Sequence, residues 1–277
     1  MELGVFSRTY QLAGTAQVFA QAVQDGFRAI QFNFSTAGLA SMPESCPGSI
    51  IDAVLDTAKR HGLSICAMSG TYNMAHPDAV RRQADRAGFA NVVRAAQIMK
   101  VPLVTLCTGT RDAANMWAGH ADNASAGAWA AMRRELDFAL ELAECHGLTL
   151  GVEPEPANIV ADAVVARRLL DEVASPRLKI VLDSANLLPP EKQSRQREVV
   201  AEAAVLLGAD LALVHTKDVG PAGEPVAAGK GVVDFSVFLE AVLSTGYRGP
   251  LVSHNFPASD APHVVSFLTR VLDDLDS

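Results

Sequence analysis

The stretch His146-Gly147-Leu148-Thr149-Leu150-Gly151-Val152-Glu153-Pro154-Glu155-Pro156 decides how the chain is to be read. It begins with a helix stop, because a glycine after the last helical turn suits the left-handed C′ conformation. A short continuous apolar run follows, as expected for a parallel strand buried on both faces. The run ends on Glu153, and the two prolines suit a strand end with no further ladder bonds to donate. Downstream the unit recurs. Leu178–Leu182 leads to Asp183, Leu211–Val214 to His215, and Pro250–Ser253 to His254. The spacings of 30, 32 and 39 residues each match about one strand–helix unit. Upstream, His61-Gly62-Leu63-Ser64-Ile65 repeats the same stop and strand start.

Extended over the whole chain, the pattern predicts strands at Leu3–Phe6, Phe27–Phe32, Leu63–Met68, Val101–Cys107, Leu148–Val152, Leu178–Leu182, Leu211–Val214 and Pro250–Ser253. Helices are predicted at Ala16–Gln24, Ile50–Arg60, Ala79–Met99, Ala126–Cys145, Ala161–Val173, Gln196–Leu207, Phe235–Ser244 and Pro262–Leu275. An open doubly wound sheet gives the same alternation, but eight units favour closure. The expected fold is a single (β/α)8 TIM barrel over residues 1–277, with no linker or domain boundary. In such a barrel the carboxyl ends of the strands meet at one mouth, where the active site forms. The three longest loops, Ser35–Gly48, Thr108–Ser125 and Lys217–Val233, all follow strands on that side.

Composition narrows the function. The net charge of −8 opposes a nucleic-acid surface, which needs a basic face. Apolar residues make up 49% of the chain, enough for a large core, yet no run approaches a membrane span. The 4 cysteines show no pairing pattern and read as reduced thiols. No basic segment followed by an apolar one opens the chain, so the cytoplasm is the expected compartment.

The ends of the strands carry the chemistry. Glu153 and Glu155 stand at i and i+2 on extended chain and share a face. Asp183 follows the sixth run and either caps the following helix or serves the mouth. Asn186 is placed to bond a substrate hydroxyl. His215 and Lys217 share a face, an imidazole for a metal and an ammonium for an oxyanion. Parity puts Asp218 on the other face unless the loop turns it. Arg111 is suited to a carboxylate or phosphate, Trp117 to an apolar sugar face, and Asn73 to a polar contact. Gly229-Lys230-Gly231 is too short for a phosphate loop. Glu153, Asp183, His215 and His254 together offer two carboxylates and two imidazoles for a divalent ion, with Mn, Mg, Co or Zn as candidates.

Glu153, Asp183, His215-x-Lys217-Asp218 and Gly246-Tyr247-Arg248-Gly249-Pro250 resemble the motifs of the xylose-isomerase-like TIM-barrel superfamily, the sugar phosphate isomerases and epimerases, over essentially the whole chain. The superfamily also holds AP endonucleases. The resemblance implies a divalent metal on Glu153, Asp183 and His215. There are two departures. His254 stands where the sugar epimerases place a second Glu, and Asn186 stands where they usually show a substrate-contacting His. The expectation is a metal-dependent isomerase or epimerase of a small sugar, sugar acid or related hydroxy-carbonyl compound, working through an enediolate. Glu153 is the expected base, with His254 or Glu155 returning the proton. The alternatives are a lyase (dehydratase) on a similar polyol and a non-catalytic sugar-binding barrel. No nucleic-acid or membrane partner is expected. Homodimers are common among such barrels, and the sequence marks no interface.

Overall fold

Parallel strands joined by outer helices pair in chain order until the last meets the first. The computed structural model describes residues 1–276 and gives β1 (Leu3–Phe6), β2 (Ala29–Phe32), β3 (Ser64–Ser69), β4 (Leu103–Cys107), β5 (Thr149–Glu153), β6 (Leu178–Asp183), β7 (Leu211–His215) and β8 (Leu251–Ser253). β8 pairs with β1 through Leu3 and Leu251, which closes the barrel and excludes the open sheet. The outer helices are α1 (Thr15–Asp25), α2 (Gly48–His61), α3 (Ala79–Met99), α4 (Ala126–His146), α5 (Ala163–Val173), α6 (Gln196–Leu207), α7 (Phe235–Ser244) and α8 (Ala261–Asp276). This is the (β/α)8 TIM barrel that the alternation predicts. Among the described residues, no helix is long and apolar enough to cross a membrane.

Local chemistry explains the boundaries. Ser125, Asp162 and Asp234 accept backbone N–H bonds at the starts of α4, α5 and α7. Gly26, Gly62 and Gly147 close α1, α2 and α4 in the left-handed region. The glycine rule does not hold throughout. α3 and α5 end on Lys100 and Ala174 at φ 56° and 49°, and Gly208 stays right-handed after α6.

The main apolar core lies between the sheet and the helices. Inside the barrel, Ala67, Leu103, Val181, Leu213 and Val252 form a separate plug. Gly4 and Gly151 hold the corresponding positions on β1 and β5. A Cβ on Gly151 would come 2.9 Å from Val181 Cγ2 and 3.2 Å from Leu103 Cδ1. Strand parity then sets the next layer, two residues nearer the mouth. It comprises Phe6, Gln31, Ser69, Thr105, Glu153, Asp183, His215 and His254. The pairing slips by one residue at Cys66 on β3 and at Ala212 on β7, irregularities of the kind that re-aim residues beside a site.

After β7 the chain makes a small hairpin, Asp218–Val219 against Pro225–Val226, which the sequence did not suggest. The Asp218 carboxylate accepts the backbone N–H groups of Val219, Gly229, Gly231 and Val233. The Gly-Lys-Gly segment therefore wraps a carboxylate of its own chain.

Candidate metal centre and active site

A cavity of about 1120 Å³ opens at the carboxyl mouth, with Glu153, His215 and His254 among its lining residues. A more open depression of about 960 Å³ lies outside, between α1 and α2, away from these residues. Glu153, Asp183, His215 and His254 are all buried, and one donor atom from each lies within 4.8 Å of the others. His254 Nε2 stands 2.9 Å from Asp183 Oδ2. His215 Nδ1 stands 3.3 Å from Glu153 Oε1 and 3.9 Å from Asp183 Oδ2. Metal–ligand bonds of about 2.0–2.2 Å put donors on one ion roughly 3–4 Å apart, so the spacing suits a shared cation.

The protonation pattern gives a stricter test of fit. His215 Nε2 lies 2.7 Å from Gln31 Oε1, which can only accept, so the hydrogen belongs on Nε2. Nδ1 then presents a lone pair to two carboxylates, and it has no hydrogen-bond partner among the described residues. A buried lone pair facing anionic oxygens calls for a positive centre between them, a proton or a metal ion. Two carboxylates and two imidazoles are a donor set that divalent metals accept. The residues fit the ion.

Each acid is held by named neighbours. Asp183 Oδ1 accepts the N–H groups of Ala185 and Asn186, both at 2.9 Å, while Oδ2 faces the imidazoles. It thus caps a turn rather than a helix and keeps one oxygen toward the imidazoles. Burial works against its charge, but Lys217, His254 and His215 more than offset that and hold its carboxyl well below the usual range. Burial would likewise raise Glu153, and positive charge on the facing imidazole of His215, when it is protonated, would keep it lowered. Burial lowers His254, reinforced by His215, which leaves a neutral imidazole available as a ligand. Burial also opposes the charge of Lys217, but Asp183, Glu155 and Glu153 outweigh it and raise its pKa. Glu155 is pushed up to about 7 by burial, against the pull of Lys217.

Asn186 joins these groups. Its amide nitrogen donates to Glu153 Oε1 at 3.0 Å and Glu155 Oε2 at 2.8 Å, and its oxygen accepts from Lys217 Nζ at 2.5 Å. The amide is spent on protein groups. Trp117 lines the cavity and is 54% exposed. Arg111 and Asn73 are not in the cavity wall. The Arg111 guanidinium donates to the Ala75 carbonyl at 3.0 Å, and Asn73 Oδ1 accepts from Thr110 N at 2.9 Å, clasping the loops after β3 and β4. Among the lining residues that the sequence did not single out are Gln31 and Arg8. Gln31 sits within an apolar run, and only its inward parity marks it. Arg8, just past β1, lines the mouth and finds no partner among the described residues.

The chain belongs to the xylose isomerase-like TIM barrel family, whose model matches residues 19–271. Structures of the same fold include a D-tagatose 3-epimerase-like protein, at TM-score 0.79 and 16% identity over 100% of this chain and 98% of that one. The 3-keto-D-glucoside 4-epimerase of E. coli superposes at TM-score 0.75 and 16% identity, covering 98% and 99% of the two chains. L-ribulose 3-epimerase does so at 0.73 and 16%, over 99% and 95%. At such identities the likeness is one of fold. No curated protein sequence matches the chain.

Proposed function

We propose that the protein is a divalent-metal-dependent isomerase or epimerase of a small sugar, sugar acid or related hydroxy-carbonyl compound. The observation that carries this is the buried Glu153–Asp183–His215–His254 cluster, with an unpartnered imidazole nitrogen facing two carboxylates at the foot of the cavity. The epimerase names borne by proteins of the same fold support the same substrate class.

When bound, a divalent cation would polarise adjacent carbonyl and hydroxyl oxygens of the substrate and acidify the intervening C–H. Glu153 takes that proton, leaving an enediolate. Lys217, kept charged by the surrounding carboxylates, meets the oxyanion. Asn186 fixes Glu153 and Glu155 relative to each other through its two hydrogen bonds. Glu155, protonated up to about pH 7, is the group able to return a proton, at the neighbouring carbon or on the other face. Trp117 and Met116 line the outer cavity and cover an apolar face of the substrate. A lyase shares the first step. Glu155, held protonated near neutrality, would serve a departing β-hydroxyl, and a product lighter by one water distinguishes that outcome.

The test is incubation of the metal-supplemented protein with ketoses and aldoses in D2O. Deuterium should enter at the α-carbon, and Glu153→Gln should lower that rate by at least ~10²-fold with the fold unchanged by circular dichroism. Equal incorporation by the variant would remove Glu153 as the base.

A further inference from the structure

The side chain that faces His215 from the opposite wall of the barrel has no place in the mechanism above. Gln31 on β2 reaches His215 on β7, 184 residues later, with Oε1 at 2.7 Å from Nε2. Both residues are buried, at 5% and 3% exposure. The amide is itself oriented. Gln31 Nε2 donates to Thr105 Oγ1 at 3.0 Å, and Thr105 Oγ1 donates to the Met68 carbonyl at 3.5 Å. With its hydroxyl hydrogen turned toward that carbonyl, Thr105 accepts from Gln31 at 3.0 Å, and this arrangement turns Oε1 of Gln31 toward the imidazole.

We infer that Gln31 is a positioning residue that locks His215 in the Nε2–H tautomer and so aims the Nδ1 lone pair at Glu153 and Asp183. A neutral imidazole carries one hydrogen. Left to electrostatics alone, that hydrogen would sit on Nδ1, 3.3 Å from the Glu153 carboxylate. Such a tautomer would set a bare Nε2 lone pair against the Gln31 oxygen at 2.7 Å, a repulsive contact between two buried groups. The chain Met68–Thr105–Gln31–His215 therefore decides which nitrogen faces the carboxylates, and it spans β3, β4, β2 and β7. A ligating imidazole is generally fixed through its other nitrogen in this way, and losing that partner typically costs 10–100-fold in metal affinity. The consequence for metal binding rests on the function proposed above. The tautomer does not.

The experiment keeps the two apart. ¹⁵N-histidine-labelled, metal-free protein is examined by two-bond ¹H–¹⁵N NMR, with His215 assigned by its loss in His215→Asn. Zn²⁺ affinity is measured by chelator competition in parallel. The wild type should carry hydrogen on Nε2 of His215. Gln31→Met should release that hydrogen to Nδ1 and weaken Zn²⁺ binding about 10–100-fold, with circular dichroism unchanged. Gln31→Glu, which still accepts from Nε2, should restore both, and Thr105→Val should give a smaller loss than Gln31→Met. A bare Nε2 in the wild type, or a Gln31→Met variant with unaltered tautomer and affinity, would overturn the inference. Nε2–H in a wild type that takes up no Zn²⁺ would uphold the tautomer lock and defeat the metal reading instead.

Discussion

The two halves of the barrel share a scaffold and differ in chemistry. At the starts of β3 and β5 the same turn recurs. Gly62 and Gly147 are left-handed at φ 64° and 69°, and Leu63 and Leu148 donate back to Ala58 and Ala143 at 2.9 and 2.8 Å. Five residues past Ser64 the inward position is Ser69, whereas the end of β5 is Glu153. Around the whole layer, β1 to β4 contribute Phe6, Gln31, Ser69 and Thr105, and β5 to β8 contribute Glu153, Asp183, His215 and His254. One half is ionisable. The other is neutral and supplies orientation. Hydrogen bonding across the barrel, rather than a second set of charges, is what the amino-terminal half adds.

That division can be broken or sharpened by substitution. The largest effect is expected from Lys217→Met, which removes the only ammonium beside Asp183 and Glu155 among the described residues. Turnover should fall about 10²–10³-fold in steady-state kinetics, with retention of the fold. Next comes the pH dependence of stability in metal-free protein. Glu155 has a folded-state pKa of about 7, above its ordinary 4.5. The folded state therefore holds a proton that the unfolded chain has released between these values. Stability should be full below about pH 4.5 and decline as pH rises through 7, by roughly 2 kcal/mol after allowing for partial exposure. Glu155→Gln should flatten that slope in thermal melts, and an unaltered slope would remove Glu155 as its source.

Gly151→Val probes the plug common to both halves. With Val181 and Leu103 already within 3.2 Å of a Cβ, it should cost about 1–3 kcal/mol in denaturant unfolding and act without regard to metal. The smallest effect belongs to the neutral half. Ser69→Ala should change stability by no more than ~1 kcal/mol and leave metal content as it was. A loss of metal in that variant would erase the distinction between the halves.

The ionisable half was legible in the sequence because each of its site residues ends a continuous apolar run. All four strands that carry them fell within a residue or two of their predicted limits, with Glu153, Asp183 and His215 inside the strands rather than after them. The neutral half was not legible in the same way. Gln31 lies inside Phe27–Phe32, and an uncharged polar residue within a run gives no signal until the opposite wall is in place. Loop residues were hardest to place. Arg111 turns away because Asn123 Oδ1 holds its backbone N–H at 2.8 Å and Ala75 holds its guanidinium, and neither contact is written in local spacing. Asp218 illustrates the same point, since parity gave no sign of the loop amides its carboxylate gathers.

The central claim is that Glu153, Asp183, His215 and His254 hold one divalent ion. It is tested most directly by metal content from plasma mass spectrometry on the wild type and Asp183→Ala, purified side by side and again after reconstitution. The expected result is about one divalent ion per chain in the wild type and none in the variant. No metal in the wild type after reconstitution, or equal metal in both proteins, would contradict it.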